Sequence, residues 1–378
     1  MIKISVIWRR IMKITKIIGH YIQLPLKEPF IINYATYDSM HSVIVEIHTD
    51  TGIIGFGEGV ADEHVTGESA AGIFANLAMI APKLIGENPL NIEAIHLKLD
   101  EMILGNPALK ASIDIALYDI LGKHANLPIY QLLGGKTVER LDYAKVLSVK
   151  NIEETKKDID ILLESGYKVI KVKLGGNIFD DILKLKQILE YIKETDAIVR
   201  VDCNQAWSNP KAIIQALKSI DDPKLKWIEQ PLKYNDIEGM KYLYENMNVC
   251  LMADEMIKDI HDLARLSTPH FDLLNVKLMK CGGIHNAVKL IRFAEGLGIE
   301  CQIGSMVESS IGSAAGYHTA MALNNVKSTE LTGPLLFSQD VGDLKYNIPY
   351  VDLGDAPGLG ITINKEALAA LTVKKFEV

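Results

Sequence analysis

Hydrophobic and polar positions follow two different rhythms along the chain, and the change comes near residue 140. Before that point, the apolar segments at 14–26 and 42–59 predict antiparallel strands, with a Thr-Gly turn inside the second segment. From 68 to 135 the apolar residues recur at the spacing of amphipathic helices. Residues 12–138 therefore predict an α+β domain.

Beyond residue 139, strand-like and helix-like segments alternate with a period of roughly 25 residues, which is typical of a (β/α) barrel. The predicted strands are 142–149, 168–174, 198–203, 226–230, 249–254, 272–277, 300–304 and 326–331. Predicted helices between them include 180–194, 210–219 and 285–297. Eight strands indicate a barrel over 139–333, and the short strand-like pieces of 334–378 predict a segment that returns to the first domain.

Composition narrows the class of protein. A net charge of −8 without a basic block argues against a nucleic-acid partner, and no apolar run approaches the ~18 residues of a membrane span. The cysteines form neither a CxxC pair nor a regular disulfide pattern, which favours a reducing cytoplasm; they are residues 203, 250, 281 and 301. Residues 1–11 precede a second possible start at Met12 and are expected to be an N-terminal extension.

Charged side chains stand at the predicted carboxyl ends of five successive barrel strands, where the loops of such a barrel meet at one mouth. In chain order they are Lys171 and Lys173, Asp202 (with Asn204), Glu229, Asp254 and Lys277. The three carboxylates are spaced by about one barrel period each, so they are expected side by side. Hard oxygen ligands suit Mg²⁺, and no histidine lies among the strand ends at a ligand spacing.

The lysines need a separate explanation, because "GYKVIKVKLGG" at 166–176 otherwise has the pattern of a buried strand. Alternation places Lys171 and Lys173 on one face of the strand. Each positive charge is expected there to lower the pKa of the other lysine, which makes that lysine a better base. Lys173 and Lys277 come from strands on opposite sides of the ring. One of these lysines could remove a proton from a carbon next to a metal-bound carboxylate, and the other lysine could return a proton to that carbon. This is the chemistry of a racemase or epimerase. Lys168 and Lys280 are expected to be surface lysines.

The motifs resemble the enolase superfamily, within it the muconate lactonizing enzyme subgroup, and there the dipeptide epimerases. They are "KVK" at 171–173, "DCNQAW" at 202–207, "EQP" at 229–231, "ADE" at 253–255, "NVKLMKCGGI" at 275–284 and "GSMVES" at 304–309. The resemblance implies an α+β capping domain and a modified TIM barrel of the (β/α)7β type.

The same resemblance implies site residues. Asp202, Glu229 and Asp254 would bind Mg²⁺, Lys173 and Lys277 would be the acid/base catalysts, and Lys171 would hydrogen-bond the substrate carboxylate. Gly304, Ser305 and Met306 would contact the substrate backbone. Capping loops around 30–37 and 63–69 would close over the mouth and select the side chain.

Two departures from the dipeptide epimerases bear on specificity. At the eighth strand "STELTG" offers Glu330 and Thr332 where many of them have Asp-x-Asp for the substrate's ammonium group. The position of an arginine that binds a glutamate side chain is occupied by Ala35, next to Tyr34. Because an acidic side chain would be desolvated there without a partner, we expect dipeptides that end in an apolar or aromatic residue.

The prediction is thus a cytoplasmic Mg²⁺-dependent isomerase that inverts the C-terminal α-carbon of a dipeptide by two-base 1,1-proton transfer. The expected partner is a small-molecule substrate, and binding to a nucleic acid or a membrane is not expected. A homo-oligomer is expected. Three alternatives stay open: an L-Ala-D/L-Glu epimerase, an o-succinylbenzoate synthase or muconate cycloisomerase-type lyase, and a non-catalytic carboxylate-binding protein.

Overall fold

The computed structural model describes residues 11–32, 35–147, 150–266 and 268–378. The extension predicted at 1–11 lies, apart from its last residue, outside these ranges. The first part of the chain forms a four-stranded antiparallel sheet with helices on it. Its elements are β1 (Ile14–Ile32), β2 (Ala35–Thr49), β3 (Ile54–Val60), α1 (Ala70–Ile80), a short 3₁₀ helix (Ala81–Leu84), α2 (Ile92–Met102), α3 (Pro107–Ala125) and α4 (Ile129–Leu132).

Three glycines in β3 allow helix α3 to pack closely against this strand. Gly55, Gly57 and Gly59 share one face of β3 and lie against the backbone of α3. A Cβ atom on Gly57 would stand 1.8 Å from the carbonyl oxygen of Ser112, so no other residue fits there without moving the helix. The buried surface of α3 is rich in small residues, which lets helix and strand approach each other.

The second part forms an eight-stranded parallel sheet in which each strand pairs with its neighbours in chain order. The strands are β4 (Lys145–Leu147), β5 (Val169–Lys173), β6 (Ile198–Asp202), β7 (Leu225–Glu229), β8 (Cys250–Ala253), β9 (Leu273–Val276), β10 (Glu300–Ile303) and β11 (Val326–Thr329). Tyr143 bridges to Thr329 in parallel and the Ala144 amide donates to the Thr329 carbonyl at 3.1 Å, so the first strand closes on the eighth. All eight predicted strands overlap observed ones; residues 148 and 149 of the first lie outside the described ranges.

Helices connect the barrel strands along the outside. They are α5 (Ile152–Glu164), α6 (Ile178–Tyr191), α7 (Pro210–Leu217), α8 (Ile237–Asn246), α9 (Ile260–Ala264), α10 (Leu278–Cys281), α11 (Ile284–Gly296) and α12 (Ser310–Ala322), followed after β11 by the one-turn α13 (Gly333–Leu336). The predicted helices at 180–194, 210–219 and 285–297 are confirmed within a few residues at each end. Among the described residues, no helix has the length and apolarity that crossing a bilayer requires.

The C-terminal segment contains β12 (Lys345–Asn347), β13 (Tyr350–Asp352), α14 (Lys365–Leu371) and β14 (Thr372–Glu377). β14 pairs with β1 in antiparallel orientation, so the end of the chain joins the first sheet. The fold class predicted from the sequence, an α+β capping domain with a modified TIM barrel, is confirmed.

A buried carboxylate joins the two parts. Glu58 of β3 lies on the face opposite the glycines and accepts hydrogen bonds from the backbone amides of Ser309 (3.0 Å) and Gly312 (2.9 Å) at the start of α12. The hydroxyls of Ser309 (2.7 Å) and Ser42 (2.8 Å) donate to it as well. Glu58 thus satisfies N-terminal amides of a barrel helix that have no partner within that helix.

Candidate active site

A cavity of about 450 Å³ lies at the carboxyl ends of the barrel strands. Its walls come from both parts of the protein: segments 26–30 and 61–65 of the capping domain and the strand ends of the barrel. The predicted site residues on its surface are Lys171, Lys173, Asp202, Lys277, Ser305, Met306, Glu330 and Thr332. The two parts of the chain therefore meet at one concave site, which is where small-molecule sites are usually found.

Lys171 lies inside the barrel because three carboxylates surround it. Its Nζ is 2.7 Å from Glu229 Oε2, 2.8 Å from Glu330 Oε2 and 3.0 Å from Asp202 Oδ2. Burial lowers the pKa of Lys171, but the charges of Asp202, Glu229 and Glu330 raise it well above its ordinary value. This differs from the expected mutual lowering by Lys173, because nearby carboxylates outnumber the ammonium groups.

Lys173 has a smaller set of partners. Its Nζ donates to Asp202 Oδ2 and to Asn204 Oδ1, both at 2.7 Å. Asn204 also donates from Nδ2 to Glu255 at 3.3 Å. Burial, and then the charges of Asp254 and Asp202, raise the pKa of Glu255 to about 7. The end of β5 thus presents an ammonium group to the cavity, oriented by a carboxylate and an amide.

Lys277 follows β9, across the barrel from β5. Its Nζ is 2.8 Å from Asp254 Oδ2, and burial lowers its pKa while the charges of Asp254 and Glu255 raise it above the ordinary value. Lys280 contacts the other oxygen of the same carboxylate, Asp254 Oδ1, at 2.6 Å. It also donates to the carbonyls of Asp254, Asn275 and Ile257.

The expectation that Lys280 lies on the surface is therefore wrong: its relative exposure is 2 %. Its position three residues after Lys277, in the first turn of α10, turns the side chain under the strand ends, where four oxygens accept from it. Lys168 is exposed, as expected.

The three carboxylates suit a divalent cation with oxygen ligands. Asp202, Glu229 and Asp254 are at most 1 % exposed and end three adjacent strands. Glu229 Oε2 and Asp254 Oδ2 each contact a lysine without the geometry of a hydrogen bond. Among the described residues, no three His, Cys, Asp or Glu side chains are already arranged as a ligand set, since the carboxylates pair with lysines instead. Buried oxygens without hydrogen bonds, in an all-oxygen donor set, fit Mg²⁺.

The loop after β10 supports one of these carboxylates. Asn275 donates from Nδ2 to Glu229 Oε1 at 2.8 Å. A Cβ atom on Gly304 would lie 2.2 Å from Asn275 Oδ1, so glycine at 304 lets this amide reach Glu229. The Met306 amide donates to Glu308, while Ser305 and Met306 themselves line the cavity. Gly304 thus supports the strand ends and is not part of the cavity surface.

Glu330 and Thr332 lie at the end of the eighth strand. Both are buried and line the cavity, and the Thr332 amide donates to the Glu330 carbonyl at 2.8 Å. Glu330 Oε2 is paired with Lys171, whereas Glu330 Oε1 has no hydrogen-bond partner within the described part of the chain. One carboxylate oxygen of Glu330 is therefore buried without a hydrogen-bond donor from the described residues.

Two specificity residues, Tyr34 and Ala35, were expected in the first capping loop. Tyr34 lies outside the described residues, and of Ala35 only the backbone is described, paired with Ile32. Neighbouring residues do line the cavity: Phe30 from β1, Tyr37 and Met40 from β2, and Asp62 and Glu63 from the second capping loop. Burial, and then the charges of Asp62 and Glu63, raise the pKa of Tyr37 to about 12. This end of the cavity combines apolar walls with negative charge.

One buried cation below the site was missed by the sequence reasoning. Arg200 lies two residues before Asp202 on β6, on the same face, and its guanidinium is 4.1 Å from the ring centre of Trp227. It donates to Gln302 Oε1 at 3.1 Å. A charged residue at an inward position of a buried strand was the available signal. Arg200 brings positive charge under a site rich in carboxylates.

The sequence is similar to known proteins over nearly its whole length. The model "Mandelate racemase / muconate lactonizing enzyme, N-terminal domain" matches residues 15–134, and "Enolase C-terminal domain-like" matches residues 154–367. The N-succinyl-L-Arg/Lys racemase of Bacillus cereus is 45% identical over 96% of this chain and 98% of its own. The crystal structure of that racemase has a TM-score of 0.93 and covers 97% of this chain and 100% of the other.

Two further relatives are epimerases. The hydrophobic dipeptide epimerase of Enterococcus faecalis is 39% identical over 93% of this chain and 100% of its own. Its structure with Mg and the dipeptide L-Leu-L-Tyr has a TM-score of 0.88, at 37% identity, and covers 93% of this chain and 99% of the other. The L-Ala-D/L-Glu epimerase of Clostridium acetobutylicum is 39% identical over 91% of this chain and 97% of its own.

Proposed function

Because the chain belongs to the mandelate racemase/muconate lactonizing enzyme family and is an isomerase that acts on amino acid derivatives, we propose that it inverts the α-carbon of an Nα-acylated amino acid. Dipeptides are one subset of this class, since an aminoacyl group is then the acyl group. The observation that carries the proposal is the pair of ammonium groups, Lys173 and Lys277, on strands at opposite sides of one cavity.

The reaction needs only the movement of protons. One lysine, as the free amine, takes the α-proton from one face, and the other, as the ammonium, gives a proton to the opposite face. Exchanging the two roles inverts the opposite enantiomer, so no oxidant or second substrate is required. Asn204 and the carboxylates orient the ammonium groups, and Lys171 assists by donating to the substrate carboxylate.

Asp202, Glu229 and Asp254 are the residues that would hold Mg²⁺. When bound, Mg²⁺ supplies positive charge that stabilises the negative charge developing on the substrate carboxylate. Neutralising these carboxylates also removes much of the field that raises the pKa of Lys171 and Lys277, which favours the free-amine form that a base requires.

For the side chain of the substrate we propose an aliphatic stem with a cationic end. Phe30 and Met40 offer apolar contact, and Asp62 and Glu63 provide negative charge beside Tyr37. The relative from Bacillus cereus, an N-succinyl-L-Arg/Lys racemase by name, supports this choice. The second candidate is a dipeptide with an apolar or aromatic C-terminal residue, supported by the same apolar walls, by Ala35 in the sequence, and by the hydrophobic dipeptide epimerase from Enterococcus faecalis.

A panel in D₂O tests these proposals. N-acetyl derivatives and L-alanyl dipeptides of arginine, lysine, leucine, tyrosine and glutamate would be incubated with enzyme and Mg²⁺. Deuterium entry at the α-carbon and loss of optical purity would be followed together. Inversion with exchange of the α-hydrogen, fastest for arginine or lysine, is expected. Fastest turnover of leucine or tyrosine derivatives would favour the second candidate, and absence of exchange in all of them would contradict the proposed function.

A further inference from the structure

Each of the three carboxylates at the strand ends has one oxygen that accepts a hydrogen bond from the surrounding protein. With the donor named first, the pairs are the Asn204 amide with Asp202 Oδ1 (2.9 Å), Asn275 Nδ2 with Glu229 Oε1 (2.8 Å) and Lys280 Nζ with Asp254 Oδ1 (2.6 Å). The three donors come from three different segments of the chain. Each of them nevertheless takes only one oxygen of its carboxylate.

The second oxygen of each carboxylate contacts lysines that line the cavity. These contacts are Asp202 Oδ2 with Lys171 (3.0 Å) and Lys173 (2.7 Å), Glu229 Oε2 with Lys171 (2.7 Å), and Asp254 Oδ2 with Lys277 (2.8 Å). Among the described residues, neither Asn275 nor Lys280 belongs to the cavity surface. Each carboxylate therefore turns one oxygen towards the cavity lysines and the other into the protein.

Lys280 is held in place by more than the carboxylate that it contacts. Its Nζ also donates to the backbone carbonyls of Asp254 (2.6 Å), Asn275 (2.8 Å) and Ile257 (3.1 Å). Three of its four acceptors thus belong to the main chain, which does not move when the Asp254 side chain turns. Lys280 therefore keeps a donor beside Asp254 Oδ1.

Asn275 is held by close packing. It is completely buried in β9, and a Cβ atom on Gly304 would lie only 2.2 Å from its Oδ1. Gly304 on one side and Glu229 on the other leave the amide group little room to rotate. Its Nδ2 therefore stays directed at Glu229 Oε1.

We propose that Asn275 and Lys280 are positioning residues that restrict Glu229 and Asp254 to one ligand oxygen each, so that the site selects Mg²⁺ over Ca²⁺. This inference rests on the metal assignment in the proposed function. Mg²⁺ requires near-octahedral geometry and keeps several waters, so single oxygens from the carboxylates suffice. Ca²⁺ takes roughly six to eight oxygens and often uses both oxygens of one carboxylate. A carboxylate whose second oxygen is hydrogen-bonded can offer both only if it loses that bond.

The alternative is that Asn275 and Lys280 only stabilise the fold. That role predicts less stable variants in which the preference between cations is unchanged. Loss of the positive charge of Lys280 should also strengthen the binding of every divalent cation. The ratio of two dissociation constants therefore separates the roles, whereas a single affinity does not.

The experiment measures cation binding without substrate. Enzyme freed of metal with EDTA and then dialysed would be titrated with Mn²⁺, with the free ion followed by electron paramagnetic resonance, and Mg²⁺ and Ca²⁺ would be added as competitors. In the wild type we expect Kd for Ca²⁺ to be at least tenfold higher than Kd for Mg²⁺. Lys280→Met and Asn275→Leu should each lower this ratio at least threefold, because each frees the second oxygen of one carboxylate.

Two substitutions at a distance from the carboxylates are matched controls. Lys110→Met and Asn325→Leu each remove a buried side chain that is bonded elsewhere, Lys110 Nζ to Asp100 at 2.6 Å and Asn325 Nδ2 to the Ile299 carbonyl at 2.8 Å. Both should keep the wild-type ratio. Asn275→Leu changes no charge and leaves Lys280 in place, so it tests the proposal even where Lys280→Met fails to fold.

The outcomes separate the cation preference from the reaction. A wild-type ratio near one, a ratio unchanged in the folded variants, or an equal fall in the controls would overturn the inference. Absence of Mn²⁺ binding would overturn it together with the metal assignment. Inversion is judged separately, by α-hydrogen exchange in D₂O. A preference for Mg²⁺ that the two variants lose, in a protein that exchanges no derivative, would support the inference and contradict the proposed function.

Discussion

Replacing Glu58 with glutamine should change how stability depends on pH. Burial raises the pKa of Glu58 from its ordinary 4.5 to about 7, against the hydrogen bonds from Ser309, Gly312 and Ser42. The folded protein therefore holds the proton more tightly than the unfolded chain does. By linkage this contribution to stability is greatest below pH 4.5, falls as the pH rises towards 7, and is constant above it.

The size of this effect on stability follows from the difference between the two pKa values of Glu58. At 1.36 kcal/mol per pH unit, a pKa of about 7 in place of 4.5 corresponds to about 3 kcal/mol. Unfolding entropy of roughly 2.1 cal/mol/K per residue gives about 0.8 kcal/mol/K for this chain length, so Tm should change by about 4 °C. Glutamine resembles the protonated acid and does not titrate, so it should lack this dependence.

The assay is calorimetry of both proteins between pH 4.5 and 8. The Tm of the wild type minus that of Glu58→Gln should fall by about 4 °C over this range, because subtraction removes the other titrating groups. Glu139→Gln, the same change at a side chain that is 85% exposed, measures the effect of losing a surface charge. A difference that stays flat or rises with pH would refute the reasoning, since the hydrogen bonds to the carboxylate would then outweigh its burial.

Three further outcomes are expected. Dialysis against EDTA should stop inversion and added Mg²⁺ should restore it, and Glu229→Gln should be inactive at unchanged Tm; full activity in EDTA would contradict the metal assignment. Lys173→Ala and Lys277→Ala should each lose inversion, while one of them still exchanges the α-hydrogen of a single enantiomer in D₂O; equal exchange of both enantiomers by either variant would exclude the two-base scheme. Gly57→Ala should lower Tm by several degrees, whereas Gly296→Ala, with open space around it, should not; equal Tm values would refute the close packing argued for Gly57.

The direction in which the lysine pKa values shift depends on contacts that the sequence alone does not show. From the sequence, Lys171 beside Lys173 indicated two like charges, and hence lowered pKa values. In the folded protein, Lys171 has three carboxylates within 3.0 Å and Lys277 has one at 2.8 Å, and these charges raise the pKa of both. The balance of charge depends on which strand ends meet, and this is set by the closure of the barrel.

The sequence by itself determined the elements of the barrel and the residues at their ends. Strands were predictable because each is a short apolar run at a regular period, and a charged residue at the end of such a run is conspicuous. The predicted location of Asp202, Glu229, Asp254, Lys173 and Lys277 follows from that periodicity alone. Their roles as ligands and bases remain proposals, because position does not establish chemistry.

Tertiary structure decided what depends on contacts between distant segments. Lys280 could not be recognised as buried, because the Asp254 and Ile257 carbonyls that accept from it follow another strand, β8. Likewise Lys27 and Lys145 are 118 positions apart in the sequence, and both line the cavity between the capping domain and the barrel. Local periodicity reports which face of an element is buried, whereas the charge around a side chain is the sum over all segments that the fold brings to it.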